Sequence, residues 1–417
     1  MKKNLFLLFL VISISLLFVA CGGSSGGSGS STNAVDYYSD LADDGPIVEQ
    51  ISEEMEEKID LSIKFTGYSD GQAYQTAVSQ SLGKADSPGI FKWWSGYRLN
   101  NLAATGEIAD LTDEWEDYYV DAGINPELAE AFTVDGKVYG APLSVLYNVV
   151  FYNKNVFDEY NLSPPETFDD FLEIAETLKN EGVIPLAVKN DGWASFVWLQ
   201  LFLGAYDPDL YTDLVEGNVS YEDDQVVEAL SVWQSMIEAG YFGEPVKAEN
   251  QTRQFAKGDA AMAYEPPIFI KGLEDDYGME ANEDYGMFVI PSMDDSTKPV
   301  IFYEASPLVV SEASSQKEDA KKVLREIETK DSFEIYAKES KAAFVEGVKT
   351  GNEISDEINE VANSDDYILK LRYYEATPSN IVDTATENLW EFFYNPSEKS
   401  LRNALANIQK VADEEEF

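Results

Sequence analysis

The chain has 417 residues and a hydrophobic fraction of 44%, so it is long and apolar enough for two domains with separate cores. Its 77 acidic residues outnumber the 29 basic ones, and the net charge of −48 disfavours binding to nucleic acid or an anionic membrane surface, which both require Lys and Arg. With no histidine and one cysteine, the chain lacks the groups for Ser–His–Asp or Cys–His nucleophiles, zinc sites of the usual type and structural disulfides.

The acidic residues are spread along the whole chain instead of forming a tail. In 1 M salt the Debye length falls to about 3 Å, so the repulsion among such charges is screened. This distribution predicts a protein that works in high salt, and we hypothesise a halophilic source organism.

The N-terminal segment has the pattern of an export signal. Lys2 and Lys3 precede an apolar stretch over residues 5–20, and Cys21 follows an alanine. A basic start, an apolar middle and a small residue before the cleavage point are typical of a secretory signal peptide, and the segment ending in Cys21 resembles the bacterial lipobox. The alternative is a short membrane helix, but the stretch is shorter than the roughly 20 residues that cross a bilayer. We therefore predict a signal peptide over residues 1–20 and a lipidated Cys21.

A Gly- and Ser-rich segment over residues 21–33 predicts a flexible tether. From about residue 45 onward, helical and strand patterns alternate, which indicates an α/β architecture. Ile47, Ile51, Met55 and Ile59 recur every four residues and predict the buried face of a helix.

Four segments predict strands or turns. Residues 61–65 alternate between apolar and polar side chains, and residues 146–152 and 308–310 are strongly apolar. Asp135 and Gly136 tolerate the positive φ of a tight turn, which predicts a hairpin around them.

One helix has clear boundary signals. Thr167 can cap its N-terminus with Asp170 as the capping-box partner, and Gly182 can end it. Its predicted buried stripe consists of Phe168, Phe171, Leu172, Ala175 and Leu178. A later helix carries an apolar face around Val323, and the tail from Ser379 onward is predicted to be helical.

Six segments carry a family resemblance by their order along the chain. They are SPGIFKWW at 87–94, LAATGEIADL at 102–111, DGKVYGAP at 135–142, FYNK at 151–154, PPETFDDF at 164–171 and QFAKGDAAM at 254–262. Together they resemble the extracellular solute-binding proteins of bacterial ABC importers, specifically the sugar-binding, maltose-binding-protein-like family. Two positions depart from the family pattern: Gly89 replaces an acidic residue, and Ile268 replaces a tryptophan that stacks on sugar.

The resemblance implies an α/β fold with two lobes, the type II periplasmic-binding-protein fold. Each lobe would be a mixed sheet flanked by helices, and the ligand would bind in the cleft between the lobes, which closes by a hinge motion. The first lobe is expected over residues 34–144 plus 264–312. The second is expected over residues 145–263 plus 313–417.

A sugar site needs flat aromatic rings for the C–H faces of the sugar and polar groups for its hydroxyls. The resemblance places several such residues at the cleft, and the predicted ligand-binding residues are Trp93, Trp94, Tyr97, Tyr147, Trp193, Tyr264, Glu265, Tyr303, Glu304 and Trp390. Adjacent tryptophans on a strand point opposite ways, so one of Trp93 and Trp94 is expected in the core. Trp115, Trp198 and Trp233 lie on helical faces and are also expected in the core, and Arg98 is expected in a surface ion pair.

The resemblance implies a receptor that captures a sugar or oligosaccharide and delivers it to an ABC permease in the membrane. We expect a monomer without enzymatic activity or cofactor, exported and held at the outer face of the cell membrane, or the periplasmic side in a Gram-negative host, only by its lipid. The alternatives are a surface adhesin that holds polysaccharide and a secreted glycoside hydrolase that uses two carboxylates.

Asp207, Asp209 and Asp213 could bind calcium or form a solvated acidic loop, and their spacing is not that of an EF-hand. The Tyr and Glu residues near the cleft favour a neutral or cationic polyhydroxylated solute.

Overall fold

The structure is a computed structural model that describes residues 33–191 and 194–415. Residues 1–32 lie outside this part, and with them the predicted signal peptide, Cys21 and nearly all of the tether. Trp193 also lies outside the described residues.

Twelve strands and seventeen helices are present in the described part of the chain. The strands are β1 (Ala34–Ser39), β2 (Ser62–Gly67), β3 (Ile90–Lys92), β4 (Thr133–Val134), β5 (Lys137–Val138), β6 (Ala141–Tyr147), β7 (Val149–Asn153), β8 (Ile184–Ala187), β9 (Ala260–Glu265), β10 (Tyr285–Phe288), β11 (Val300–Val310) and β12 (Ile368–Leu371). The helices are α1 (Gly45–Ile59), α2 (Gly71–Ser81), α3 (Tyr97–Ala103), α4 (Thr112–Glu114), α5 (Lys154–Glu159), α6 (Phe168–Asn180), α7 (Ala194–Tyr206), α8 (Pro208–Val215), α9 (Asp224–Ala239), α10 (Ala248–Ala256), α11 (Phe269–Tyr277), α12 (Lys317–Ile327), α13 (Lys330–Ser340), α14 (Glu353–Ala362), α15 (Tyr373–Ala376), α16 (Ser379–Tyr394) and α17 (Glu398–Ala412). A π-helical turn (Trp115–Tyr119) and two 3₁₀ helices (Ala42–Asp44 and Pro126–Phe132) complete them.

The strands form two main sheets, one in each lobe. The larger sheet has the order β12-β11-β3-β1-β2, with β6 also paired to β11. Its strands β1, β2 and β3 are parallel, whereas β11 runs antiparallel to β3 and β6. The smaller sheet has the order β10-β7-β9-β8. We call the lobes the large-sheet lobe and the small-sheet lobe.

The chain crosses between the lobes where the sequence predicted one continuous strand over residues 146–152. Strand β6 ends at Tyr147 in the larger sheet, and β7 begins at Val149 in the smaller one. Asn148 lies between them, and its backbone N–H donates to the carbonyl of Phe302 at 2.8 Å, which ties this crossing to β11.

Two segments lie in a different lobe from the one that the predicted boundaries imply. Helix α11 and strand β10, expected in the first lobe, pack on α10 and pair with β7 of the small-sheet lobe, respectively. Helix α12 and strand β12, expected in the second lobe, pack against or pair with β11 of the larger sheet. The boundaries were placed from sequence order, whereas strand partners are set by contacts between residues far apart in the chain.

Local sequence signals account for several elements. In α6 the Thr167 hydroxyl accepts from the Asp170 N–H at 3.1 Å, and the Asp170 carboxylate accepts from the Thr167 N–H at 2.9 Å, which confirms the capping box. Its buried stripe contains Ile174, while Leu172 is only half-buried. The hairpin of β4 and β5 turns at Asp135 and Gly136, both with positive φ as predicted.

The apolar interior forms two clusters of buried side chains, and each includes residues of both sheets. Trp115, Trp198 and Trp233 are at most 4% exposed, as expected of core residues. Among the described residues, no helix combines the length and apolar character that a bilayer crossing requires.

Candidate functional site

A cavity of about 580 Å³ lies where the chain crosses between the lobes. This volume is within the range typical of small-molecule sites. The large-sheet lobe contributes the loop after β1, strands β6 and β11, and helix α13; the small-sheet lobe contributes Ile268 and Lys271 at the start of α11. Residues from both lobes therefore face the same cavity.

The floor of the cavity follows from the alternation of side chains along β6 and β11. Ser144 pairs with Ser306 and Leu146 with Glu304, and all four line the cavity. Because successive side chains point to opposite faces of a sheet, the residues between them point away from the cavity. Tyr147 and Tyr303 are on that other face, with their rings 6.3 Å apart.

The two adjacent tryptophans after β3 differ in exposure. Trp93 is only 9% exposed, and its indole N–H donates to the backbone carbonyl of Arg98 at 3.2 Å. Trp94 is half-buried, and the Lys92 ammonium lies 4.5 Å from its ring centroid. The same ammonium pairs with Asp40 at 3.1 Å and lines the cavity. Trp94 therefore presents the more accessible ring of the two.

A buried arginine organises the edge of the cavity. The Arg372 guanidinium contacts Glu304 at 2.7 Å and forms a two-pronged ion pair with Glu375, at 3.0 and 2.7 Å. Burial lowers the pKa of Arg372, but the carboxylates of Glu375 and Glu304 outweigh that effect and raise it above the usual value. This ion pair fixes the orientation of Glu304, which is 30% exposed toward the cavity.

The lobes also meet beside this arginine. The Arg98 guanidinium, at the start of α3, lies 4.3 Å from the ring centroid of Tyr374 in α15. This cation–π contact takes the place of the predicted surface ion pair. Gly96 approaches the same helix so closely that a Cβ at this position would lie 1.9 Å from the carbonyl oxygen of Glu375.

A polar recess lies on the side of the small-sheet lobe. Glu265 is 4% exposed there, and it accepts from the Lys189 ammonium at 2.5 Å and the Gln251 amide at 2.9 Å. Tyr264 and Asn148 line the same recess. The Lys189 ammonium and the Gln251 amide together hold the Glu265 carboxylate in a fixed position.

The acidic loop after β1 carries one perturbed carboxyl group. Burial raises the pKa of Asp44 to about 6, and the neighbouring Asp43 and Asp40 add to the effect. Asp43 and Asp44 both line the cavity. This pKa places the titration of Asp44 close to neutral pH.

The structure brings together only some of the residues predicted to bind ligand. Glu304 lines the cavity, Trp94, Tyr97 and Trp390 are half-buried, and Trp193 is outside the described part. The fully buried members of the predicted set are Trp93, Tyr147, Tyr264, Glu265 and Tyr303. Burial raises the pKa of the Tyr147 hydroxyl, which points away from the cavity, so this residue is placed for packing.

Apart from Glu304, sequence reasoning missed the charged residues of the site. Asp40 and Lys92 are 52 residues apart, and Arg372 is far along the chain from the strand that carries Glu304. The signal available for Lys92 was its place at the end of a buried strand, where ligands often bind in α/β folds. Asp207, considered for calcium, caps α8 by accepting from the Asp209 N–H at 2.9 Å.

A protein-family model described as bacterial extracellular solute-binding protein matches residues 50–359. An uncharacterized ABC transporter extracellular-binding protein of Pyrococcus horikoshii is 31% identical over 215 residues, which are 49% of this chain and 47% of that protein. The chain thus spans about half the length of that relative. The diacetylchitobiose-binding protein DasA of Streptomyces coelicolor is 25% identical over 358 residues, 80% of each chain.

Solved structures of the same architecture are also similar. The solute-binding protein RafE in complex with raffinose covers 91% of this chain with a TM-score of 0.72 and 19% identity, and all of RafE is matched. The solute receptor AcbH, described as preferring β-D-galactopyranose, covers 92% of this chain and 99% of its own, with a TM-score of 0.74 and 19% identity. At such identity the likeness supports the two-lobed fold alone.

Proposed function

Because the chain belongs to the bacterial extracellular solute-binding protein family, we propose that it is the receptor of an ABC importer and captures a sugar or oligosaccharide between its lobes. The cavity of about 580 Å³ lined by both lobes carries this proposal. A ligand that contacts both lobes stabilises the closed form, which is the form expected to deliver it to a permease.

The chemistry of the cavity fits a polyhydroxylated ligand. Ser144, Ser306 and Glu304 offer hydroxyl and carboxylate groups along the floor, and Lys92 adds a donor. Charged groups held in place by partners form stronger hydrogen bonds to hydroxyls than neutral groups do. Trp94 is not among the residues that line the cavity, but it follows the lining residue Lys92 and offers a half-buried ring for the apolar face of a sugar. Diacetylchitobiose, named for one relative, and raffinose, named for one similar structure, are ligands of this kind.

We propose binding without catalysis, since both lysines that line the cavity are engaged in ion pairs. Lys92 pairs with Asp40, and Lys271 pairs with Glu339. One observation favours the glycosidase alternative: Asp44, with a pKa of about 6, could act as a general acid beside a second carboxylate. Burial, with the neighbouring Asp43 and Asp40, accounts for the raised pKa of Asp44 without a catalytic role, so we favour binding.

We further propose that the protein is exported and anchored through a lipid on Cys21, followed by the Gly- and Ser-rich tether. A tether of about a dozen residues gives a root-mean-square reach of about 20 Å. That reach keeps a monomeric receptor near a permease in the same membrane. The net charge of −48 supports adaptation to high salt.

The proposal is tested by calorimetric titration with diacetylchitobiose, raffinose, melibiose and galactose, together with product analysis after long incubation. We expect saturable binding of at least one sugar that is recovered unchanged. Hydrolysed sugar would support the glycosidase alternative. Absence of saturable binding across this panel would contradict the proposal of a receptor for these sugars.

A further inference from the structure

Side chains of the two lobes contact each other at one end of the cavity. Helix α11 packs on α10, which covers the smaller sheet, whereas α13 packs on α1 and α12 of the large-sheet lobe. The segment between α13 and α14 is bound to the large-sheet lobe by a backbone bridge between Val345 and Ile124. Contacts from α11 and β10 to the segment of α13 and α14 therefore join one lobe to the other.

Asn352 is the centre of these contacts. It is 4% exposed and caps the N-terminus of α14, where its side-chain oxygen accepts from the Ser355 N–H at 2.9 Å. Its amide NH₂ crosses to the other lobe and donates to the Glu274 carboxylate and the Tyr285 hydroxyl, each at 2.7 Å. Both polar atoms of the side-chain amide thus have hydrogen-bond partners, the oxygen within its own lobe and the nitrogen across the boundary.

Three ionic or polar contacts surround this amide. Glu274 also accepts from the Lys341 ammonium at 3.0 Å, and Lys341 occupies the left-handed region with φ of 56°. The Asn282 amide donates to Glu353 at 2.8 Å. The Lys271 ammonium pairs with Glu339 at 2.5 Å, and both residues line the cavity. The contact between the lobes therefore extends as far as the cavity.

We propose that this contact is the fixed edge about which the lobes open and close, and that Asn352 is its positioning residue. Separating the lobes here would break both hydrogen bonds that the Asn352 amide donates across the boundary and expose its buried surroundings to water. The pair of Lys271 and Glu339 is about half exposed and adds little by itself. Opening therefore occurs by separation of the lobes away from this contact.

This inference rests on the proposed function only for its role in ligand capture, because the test needs no ligand. Cysteines replace Gln72 in α2 and Glu238 in α9, both exposed and in different lobes, in the full chain carrying Cys21→Ser. Electron–electron double resonance between spin labels at these cysteines then measures the distribution of distances between the lobes.

Asn352→Asp is the sharpest perturbation of the contact. Asp keeps the side-chain oxygen that caps α14 but loses both N–H donors and places a second carboxylate beside Glu274. We expect the ratio of long to short distances to rise at least about fivefold, the lower end of typical couplings between sites. Adding Glu274→Gln, which supplies a donor to the new carboxylate, should reverse most of this change.

Two further variants keep the inference open to refutation. Asn125→Asp changes another helix-capping asparagine, whose contact with the Glu127 N–H stays within one lobe, and should leave the distribution unchanged. If Asn352→Asp does not fold, Tyr285→Phe removes only the hydroxyl acceptor and should give a smaller shift in the same direction. An unchanged distribution in the folded Asn352 or Tyr285 variant, or an equal change in the Asn125 variant, would overturn the proposal.

Discussion

The carboxyl group of Glu328 offers a test of the energetics that the structure implies. Glu328 follows α12, is 0% exposed, and neither of its carboxyl oxygens has a hydrogen-bond partner. The Tyr119 hydroxyl, also buried without a partner, lies close enough to interact with it electrostatically. Burial raises the pKa of Glu328 well above its usual value, so the folded protein keeps this proton at a pH where the unfolded chain has lost it.

The sign and size of the consequence follow from proton linkage. Between the unfolded pKa of about 4.3 and the higher folded pKa, the folded state binds one more proton than the unfolded state. The free energy of unfolding therefore falls by up to about 1.4 kcal/mol for each pH unit gained in that range. Below the unfolded pKa this penalty is absent, because both states are protonated. Glu328→Gln is neutral at every pH and does not carry the penalty.

Urea unfolding of the wild-type protein and of Glu328→Gln at pH values from 4 to 8 measures this difference. The other acidic groups affect both proteins alike, so they cancel when the two free energies are subtracted. We expect the variant to gain stability relative to wild type as the pH rises, with a slope of up to about 1.4 kcal/mol per unit. Glu318→Gln, on an exposed position of the same helix, should show no such slope. Parallel pH dependences for wild type and Glu328→Gln would refute the reasoning.

Three other predictions concern the cleft and the charge. Trp94→Ala should weaken sugar binding up to about tenfold with little loss of stability. Trp93→Ala should instead lower the free energy of unfolding by about 3–5 kcal/mol, because this side chain is buried. Equal effects of the two substitutions on stability would contradict the assignment of Trp93 to the core. Glu304→Gln should weaken binding about tenfold to a hundredfold in calorimetric titration, while Glu312→Gln, in an exposed pair with Lys317, should bind like wild type. The melting temperature should be higher in molar than in low NaCl, by roughly 2–4 °C for each 1 kcal/mol that salt adds to the free energy of unfolding. A melting temperature that does not change with salt would contradict the halophilic hypothesis.

The parts of the fold that the sequence predicted are those decided by neighbouring residues. The capping box of Thr167 and Asp170 and the turn at Asp135 and Gly136 each depend on atoms a few residues apart. The break at Asn148 was not predictable from hydrophobicity, because β6 and β7 are both buried and form one continuous apolar run. Only the pairing with distant strands decides where one sheet ends and the next begins.

The candidate site was predicted less well for a related reason. Aromatic residues stand out in a sequence, and five of the ten predicted ligand residues proved to be buried. Arg372 was not predicted as a residue of the site, because the sequence does not show which carboxylates an isolated arginine will contact. Its role depends on Glu304, which a different strand brings within 2.7 Å. Paired charges at a cavity are thus a property of the fold, visible only after the strands are in place.

The close approach of Gly96 to α15 limits which residues can occupy position 96. The residue has a positive φ of 63°, and even a single methyl group would overlap the Glu375 carbonyl. Any larger residue at this position would act as a wedge between α3 and α15, next to Tyr97 and two residues from Trp94, which are both predicted to bind ligand. Substitution at position 96 is thus expected to change how closely α3 and α15 can approach, and with it the balance between open and closed forms of the proposed receptor.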